Sequence, residues 1–585
     1  MWVCAAGFVF EIPMSDIQWH LTEYDADMAE KLAKELDLSP VVARLLIARG
    51  ITTPEEAGEF LNPTLDSLHD PLLLPDMNVA VERLKHALEA GEKIMIHGDY
   101  DVDGVTSAAL LIRVLRALGG DVIYRLPHRQ TEGYDIKASA VDEAKEADVS
   151  LIVTSDCGVT AIETAERAKE LGIDLIITDH HEPGLNLPFA LAVINPKRAD
   201  SNYPFPHLAG VGVAYKLAEA LVRDIGHNVD RFRDRFLDLV ALGTVADVSP
   251  LIGENRVMVK FGMQSLAKSK KVGLQAILRR CKLEEKELVA YHLSHIIGPR
   301  INSVGRLDTA EIALGLMLTI DEAEAERLAE VLERTNSERQ AEQSKILEEA
   351  EKRIAELDLE IERVLVLCAP GWNTGVVGIV ASKLVEQYGR PAILLSQDVE
   401  SGVCVGSARS IKRFNLIDAL RSCGSLLDRC GGHAYAAGLC LKGVNLPGFT
   451  ERLKELAGEI VRPEDMIPSI SVDAVLVPSD FNLALVRQIA ALEPFGHGNP
   501  EPVFITSGLE VIGKQRVGAD GSHLKMRLRG DGSSQTDCIG FGMGKLEEVL
   551  HVGKEIDICY NIRVNRYREY DNIQLVAKDL RESTG

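Results

Sequence analysis

Positive charge is what this sequence is short of. Its 585 residues carry 64 Lys and Arg against 88 Asp and Glu, a formal net charge of −24. A chain that coats nucleic acid over its whole surface needs the opposite balance, so only a local basic channel stays open. No apolar run reaches the ~18–20 residues that cross a bilayer, which argues against an integral membrane protein. None of the ten cysteines sits in a CxxC pair or a Cys/His cluster, which argues against structural zinc. They read as reduced, mostly buried thiols of a cytoplasmic protein. No GxGxxG follows the first strand, and GxxxxGK followed by Ser or Thr is absent. That weighs against dinucleotide and P-loop chemistry. The opening MWVCAAGFVFEIPM lacks the positive segment and cleavage site of a signal peptide. It reads as an extended start, with Met14 the expected initiator.

What is present describes a folded chain of several domains. Hydrophobic residues make up 46% and charged residues 26%, which fits a packed globular protein rather than a disordered one. The length predicts three to five domains. Residues 1–80 read as short helices broken by Pro63, Pro71 and Pro75. Residues 81–320 alternate strands with helices, the pattern of a parallel sheet covered on both faces. A Pro- and Gly-free helical pattern fills 321–358 as a strut. Residues 359–458 return to α/β texture. Residues 459–585 hold short strands with Gly-rich turns, which predict a small β-barrel of the OB type. The fold class is therefore α/β with an added barrel.

The acidic and histidine residues fall at strand ends. His97-Gly98-Asp99-Tyr100-Asp101-Val102-Asp103 follows the first strand of the sheet, Lys93–Ile96. Asp156 follows the third, Leu151–Thr154. Asp179-His180-His181 follows the fourth, Ile173–Thr178, and Asp247 ends the apolar run FLDLVALGTVA. In an open parallel sheet the carboxyl ends of the strands meet at one crevice, where ligands bind. Asp247 joins them only through tertiary folding. His97, His180, Asp101, Asp103, Asp156 and Asp247 are too many ligands for one tetrahedral site, with His181 and Asp99 in reserve. The set suits two divalent ions bridged by a carboxylate, which also answers the repulsion among the acids. Mixed imidazole and carboxylate ligands favour Mn²⁺, with Mg²⁺ also suitable.

The segments HGDYDVDGVTSAALL, TSDCGV, TDHHEP and GTVADVSPL resemble the four motifs of the DHH phosphoesterases. SPVVARLLIARGITTPEEAGEFLNP, GPRINSVGR, GSARSIKRFNLIDAL, GGHAYAAG and LEPFGHGNPEPVF extend the resemblance to the bacterial single-stranded-DNA-specific exonuclease branch of that superfamily, over nearly the whole chain from about residue 17. The resemblance implies a DHH domain and a DHH-associated domain joined by the long helix. It also implies 5′-to-3′ degradation of single-stranded DNA to mononucleotides, in repair and recombination. It further implies that His97, Asp101 and Asp156 bind one metal, and that Asp103, Asp156, His180 and Asp247 bind the other. His181 would face the scissile phosphate, Asp99 would support the cluster, and a water activated by the ions would be the nucleophile.

In the second lobe, Ser407, Arg409, Gly432 and His433 would face the metals across a cleft and contact substrate, with Arg300 and Arg306 lining the same channel. Two departures from the family pattern are Asn373, where a His usually follows the Trp, and Asp135 after Tyr134. The barrel interleaves Lys514, Arg516, Lys525, Arg527, Arg563, Arg566 and Arg568 with Tyr567 and Tyr570, which suits single-strand binding by charge and stacking. The resemblance also implies a monomer whose partners include a single-strand-binding protein and a RecQ-type helicase. Two other readings use the same fold: a phosphodiesterase of short oligonucleotides or cyclic dinucleotides, and a replication scaffold without catalysis.

Overall fold

The computed structural model describes residues 17–129, 131–530, 535–567 and 570–583. Met14, and the side chains of Arg566, Tyr567, Arg568 and Tyr570, lie outside the described residues. The architecture is α/β with an added closed barrel. After a short strand β1 (Gln18–Leu21) and four α-helices, the last of them Met77–Ala90, the chain enters a sheet of β2 (Lys93–Gly98), β3 (Asp121–Arg125), β4 (Leu151–Ser155), β5 (Asp174–Thr178) and β6 (Ala192–Ile194). The order is β3-β2-β4-β5-β6 and every pairing is parallel. The order reverses between β2 and β4, so their carboxyl ends open the crevice where ligands bind in such sheets. Separate apolar cores cover the two faces of this sheet.

A 33-residue helix, Glu322–Ile354, leads to the second lobe. At 1.5 Å per residue it is about 50 Å long. Ala325, Leu328, Ala329 and Leu332 enter the core of the first lobe, and Ile346, Ala350 and Ile354 enter that of the second. Between them the same stripe is polar but still buried: Thr335, Asn336, Arg339 and Gln343. The second lobe holds β7 (Leu365–Pro370), β8 (Ala392–Gln397), β9 (Val403–Arg409), β10 (Arg429–Gly432) and β11 (Ala436–Lys442), in the mixed order β10-β11-β9-β8-β7.

Strand β12 (Ser469–Val472) pairs in parallel with β1, across 451 positions of sequence between Gln18 and Ser469. Strand β13 (Ala474–Val475) edges the barrel of β14 (Phe504–Val517), β15 (His523–Arg529), β16 (Gln535–Gly540), β17 (Glu555–Tyr567) and β18 (Tyr570–Glu582). The barrel closes because β14 pairs with both β15 and β17. Its core is shared: Val42, Leu45 and Leu46 from the N-terminal helices pack with Phe504, Tyr560 and Leu575.

Arg256, buried on the first lobe, ties these parts together. Its guanidinium donates to the carbonyls of Phe60, Ala491 and Leu492 at 2.7–3.3 Å and lies over the Phe60 ring. Burial lowers its pKa to about 10. Arg256→Ala leaves the carbonyls of Phe60 and Ala491 without this donor, while that of Leu492 keeps Asn499 Nδ2 at 2.8 Å, and each unsatisfied buried group costs about 1–3 kcal/mol. A loss on the order of 3 kcal/mol is expected in urea denaturation; a loss within the ~0.5 kcal/mol of ordinary surface changes would contradict this role.

Candidate metal centre and cleft

The loop after β2 ends where Asp101 caps the helix Val102–Ala117, accepting from the amides of Asp103 and Gly104 at 2.9 and 3.1 Å. Asp103 is fully buried on the first turn. Its two oxygens accept from the amides of Gly210 and Val211 at 2.7 and 2.8 Å, at the start of the helix Gly210–Asp224. A helix N-terminus favours a carboxylate there. Gly210 is required by proximity, since a Cβ on it would lie 2.3 Å from Asp156 Oδ1. Asp156 follows β4 with φ 65°, a left-handed conformation that Asp tolerates better than most residues. Asp247 closes the helix Val229–Ala246 and accepts from Ser249 Oγ at 2.6 Å.

These residues meet in three overlapping sets whose ligand atoms lie within 4.8 Å of one another: Asp156 with His180 and His181, Asp103 with His180 and Asp247, and Asp99 with Asp101 and Asp156. Nε2 of His180 lies 3.2 Å from Asp156 Oδ1 and 4.0 Å from both Asp103 Oδ2 and Asp247 Oδ2. His180 Nε2, Asp156 Oδ1 and Asp99 Oδ1 are buried without a hydrogen-bond partner. Such orphaned atoms, aimed at one another, fit a divalent cation.

The electrostatics agree. Burial, and then the neighbouring carboxylates, push Asp99, Asp103 and Asp156 well above the usual range, and burial with Asp101 holds Asp247 up at about 7. Burial lowers both His97 and His180 to about 3, so each offers a neutral imidazole. His181 is different. Burial lowers it, but Asp179 outweighs that and raises it to about 9. Nδ1 of His181 is 2.8 Å from Asp179 Oδ1 and 2.8 Å from the Tyr134 hydroxyl. Asp179 also accepts from the amides of Val159, His180 and His181.

His97 stands apart from the three sets. It is fully buried at the end of β2, with Nε2 3.5 Å from Arg125 Nη1 and Nδ1 3.7 Å from Cys157 Sγ. Asp179 and Tyr134 stand in the sequence motifs, but no role was assigned to either from sequence. The first is the leading residue of the DHH tripeptide, so a signal for it was present.

Across the cleft, Arg306 reaches from the helix Gly298–Leu307 to the carbonyl of Gly375 at 3.0 Å. Burial, then Arg129 and Arg339, lower its pKa to about 10. Arg409 ends β9, held by the carbonyl of Ala408 at 2.8 Å, and burial followed by Arg129 lowers its pKa too. A Cβ on Gly378 would lie 3.1 Å from Arg409 Nη2 and 3.3 Å from Ser407, so this glycine lets the start of the helix Val377–Tyr388 close on both. Among the described residues none of Arg129, Arg306, Arg339 and Arg409 has an ion-pair partner. Arg129 and Arg339 were not singled out from the sequence.

Arg300 is engaged elsewhere, bidentate to Glu333 of the long helix at 2.5 and 3.2 Å and bonded to the Ile296 carbonyl. Gly432 and His433 are exposed. The two departures have structural work. Asn373 Oδ1 accepts from the Gly375 amide at 2.8 Å, shaping the turn that Arg306 holds. Asp135, at φ 78°, accepts from Thr160 Oγ1 at 2.9 Å and from the Ile136 amide. On the barrel, Lys514, Arg516, Lys525, Arg527 and Arg563 are all paired with carboxylates of the barrel region. Uncompensated charge is found in the cleft rather than on these barrel residues.

Comparison with known proteins follows this division. Family models match residues 93–244 as the DHH family N-terminal domain, 362–459 as the DHHA1 domain and 472–579 as the RecJ OB domain. The chain is 40% identical over 565 residues to the single-stranded-DNA-specific exonuclease RecJ of Bacillus subtilis, covering 97% of this chain and 71% of that protein. Crystal structures of Thermus thermophilus RecJ with Mn²⁺ and with Mg²⁺ superpose with TM-scores of 0.82 and 0.76 at 31% and 30% identity. Each covers 97% of this chain, and 80% and 79% of theirs.

Proposed function

The chain belongs to the RecJ family, a metal-dependent exonuclease family acting on single-stranded DNA in repair and recombination, and from that membership we propose how its residues divide the work. Asp156 and His180 each belong to two of the three ligand sets, but only a carboxylate, with two oxygens, can serve two ions, and this carries the reading that Asp156 would bridge two divalent ions, Mn²⁺ or Mg²⁺. His97, Asp101 and Asp156 hold one ion, with Asp99 beside them. Asp103, Asp156, His180 and Asp247 hold the other. When bound, such ions lower the pKa of water and draw charge from the transferring phosphoryl oxygens.

The chain's own groups do the positioning. The amides of Gly210 and Val211 fix Asp103 in place. Asp179 and Tyr134 engage His181 at Nδ1 and leave its Nε2 to face the scissile phosphate. Arg306, Arg409, Ser407 and the first turn of the helix Val377–Tyr388 form a phosphate cradle across from the metals. They take the 5′-terminal phosphate, which sets 5′-to-3′ polarity and releases mononucleotides. Gly432 and His433 meet the strand at the rim. No described helix is long and apolar enough to cross a membrane. We place the enzyme in the cytoplasm, as a monomer, with single-stranded DNA supplied by a RecQ-type helicase and a single-strand-binding protein.

Digestion of strands blocked at one end tests the polarity. A 5′ block stops digestion with Mn²⁺ or Mg²⁺ and a 3′ block does not; the reverse pattern refutes the reading. Arg409→Ala is expected to weaken strand binding by about 1–3 kcal/mol, and to reduce the slope of log affinity against log salt by about one. Binding titrations at several salt concentrations read both.

A further inference from the structure

A second depression lies away from the cleft. It is bounded by the helices Val102–Ala117 and Val229–Ala246 and by the start of Val272–Arg280, and encloses about 800 Å³. Arg113, Arg231, Arg235, Lys268, Lys270 and Lys271 line it, against two acids, Asp234 and Asp238. In a chain of net charge −24 this is a concentrated reversal of sign. Two of the six cations are engaged. Lys271 Nζ lies 2.8 Å from both Asp238 oxygens, and Arg113 Nε donates to the Met317 carbonyl at 2.7 Å. Among the described residues, Arg231, Arg235, Lys268 and Lys270 have no carboxylate at ion-pair distance. Arg231, Arg235, Lys268 and Lys270 stand exposed around the depression, with Arg113 and Lys271 more deeply set; like charges gathered there repel one another, and an entering anion offsets that repulsion.

The site is separate from the nuclease centre. Arg113 lies ten residues beyond Asp103 on one helix, and Arg235 twelve before Asp247 on another, which is about 15 and 18 Å of helical rise. No single phosphate spans that distance. Arginine forks and lysine ammonium groups suit phosphoryl oxygens. Leu65 and Phe261 add an apolar wall, and the volume falls within the range of small-ligand sites.

We propose that this cavity binds a polyphosphate anion, either free or carried on a nucleoside. Calorimetric titration of the full-length protein, without added divalent ion, tests it with inorganic triphosphate and with ATP. One saturable site is expected to persist in Arg409→Ala, which removes the cleft cradle. The double variant Arg235→Ala/Lys268→Ala weakens binding at least tenfold, while Arg409→Ala and Asp156→Asn leave it unchanged. ATP binding several-fold tighter than triphosphate assigns the nucleoside form, and equal affinities assign the phosphate chain alone. The proposal is overturned by absence of saturable binding, by unchanged affinity in a double variant that circular dichroism shows folded, or by loss of binding in Arg409→Ala. A poly-glutamate peptide binding as tightly as triphosphate would overturn the phosphate assignment.

Discussion

Asp156→Asn lowers the rate of single-strand digestion by on the order of a thousandfold or more, with the fold retained. The carboxylate is common to two ligand sets and its Oδ1 is buried without a partner. Losing a ligand to both ions removes several kcal/mol of transition-state stabilisation, and each 1.36 kcal/mol is about tenfold in rate. Asn keeps the size of the side chain and tolerates the left-handed backbone at φ 65°. Without ions the variant melts higher than the parent, because it no longer holds a repelling carboxylate beside Asp103 and Asp101. Gel digestion with Mn²⁺ and thermal melting without it read the two effects. Activity within tenfold of the parent would rule out a bridging role.

Mn²⁺ stabilises the protein, and its effect grows with pH. At a concentration about a thousand times the dissociation constant, binding adds about 4 kcal/mol to the nuclease lobe. The sign of the pH dependence follows from the carboxyls. Asp99, Asp103 and Asp156 are held well above the unfolded value near 4, and Asp247 at about 7. The folded, metal-free protein therefore binds more protons than the unfolded chain across that window, and its stability falls as pH rises through it. His181, raised to about 9, acts in the same direction: its contribution is complete below about 6.5 and is lost toward 9. Protons and Mn²⁺ compete for the same oxygens. The increment in melting temperature from Mn²⁺ is thus largest above pH 7 and shrinks toward pH 5. An increment independent of pH would mean that the ion binds elsewhere.

The gathering of Asp99, Asp101, Asp103, Asp156, His180 and His181 at one edge was legible because a parallel sheet brings its strand ends together whatever the side chains do. The docking of Gly210 and Val211 on Asp103 was not. It depends on where a helix more than a hundred residues later begins, and no local pattern encodes that. The helix Val102–Ala117 starts four residues before the first position with clear helical texture, because the Asp101 cap recruits Val102, Asp103, Gly104 and Val105, which otherwise read as loop. On the long helix the apolar residues were legible as a stripe, but Thr335, Asn336, Arg339 and Gln343 continue it with polar atoms. Hydrophobic periodicity cannot register a buried polar face. Strand β1 was missed for a related reason: four residues carry little periodicity, and its partner β12 lies far along the chain.

The core shared by the N-terminal helices and the barrel sets a schedule for biosynthesis. Val42, Leu45 and Leu46 are buried against strands that include Leu575 and Leu580, and Trp19 donates from Nε1 to Asp579 at 2.7 Å. On a ribosome adding roughly 5–20 residues per second, the ~520 residues between these helices and the last strand take about 25–100 s to emerge. Throughout that interval the nascent chain carries an apolar face whose complement does not yet exist, while the nuclease lobes between can already condense. A segment that leaves the exit tunnel early is therefore among the last to be buried, and this interval is when a holding chaperone has most to protect.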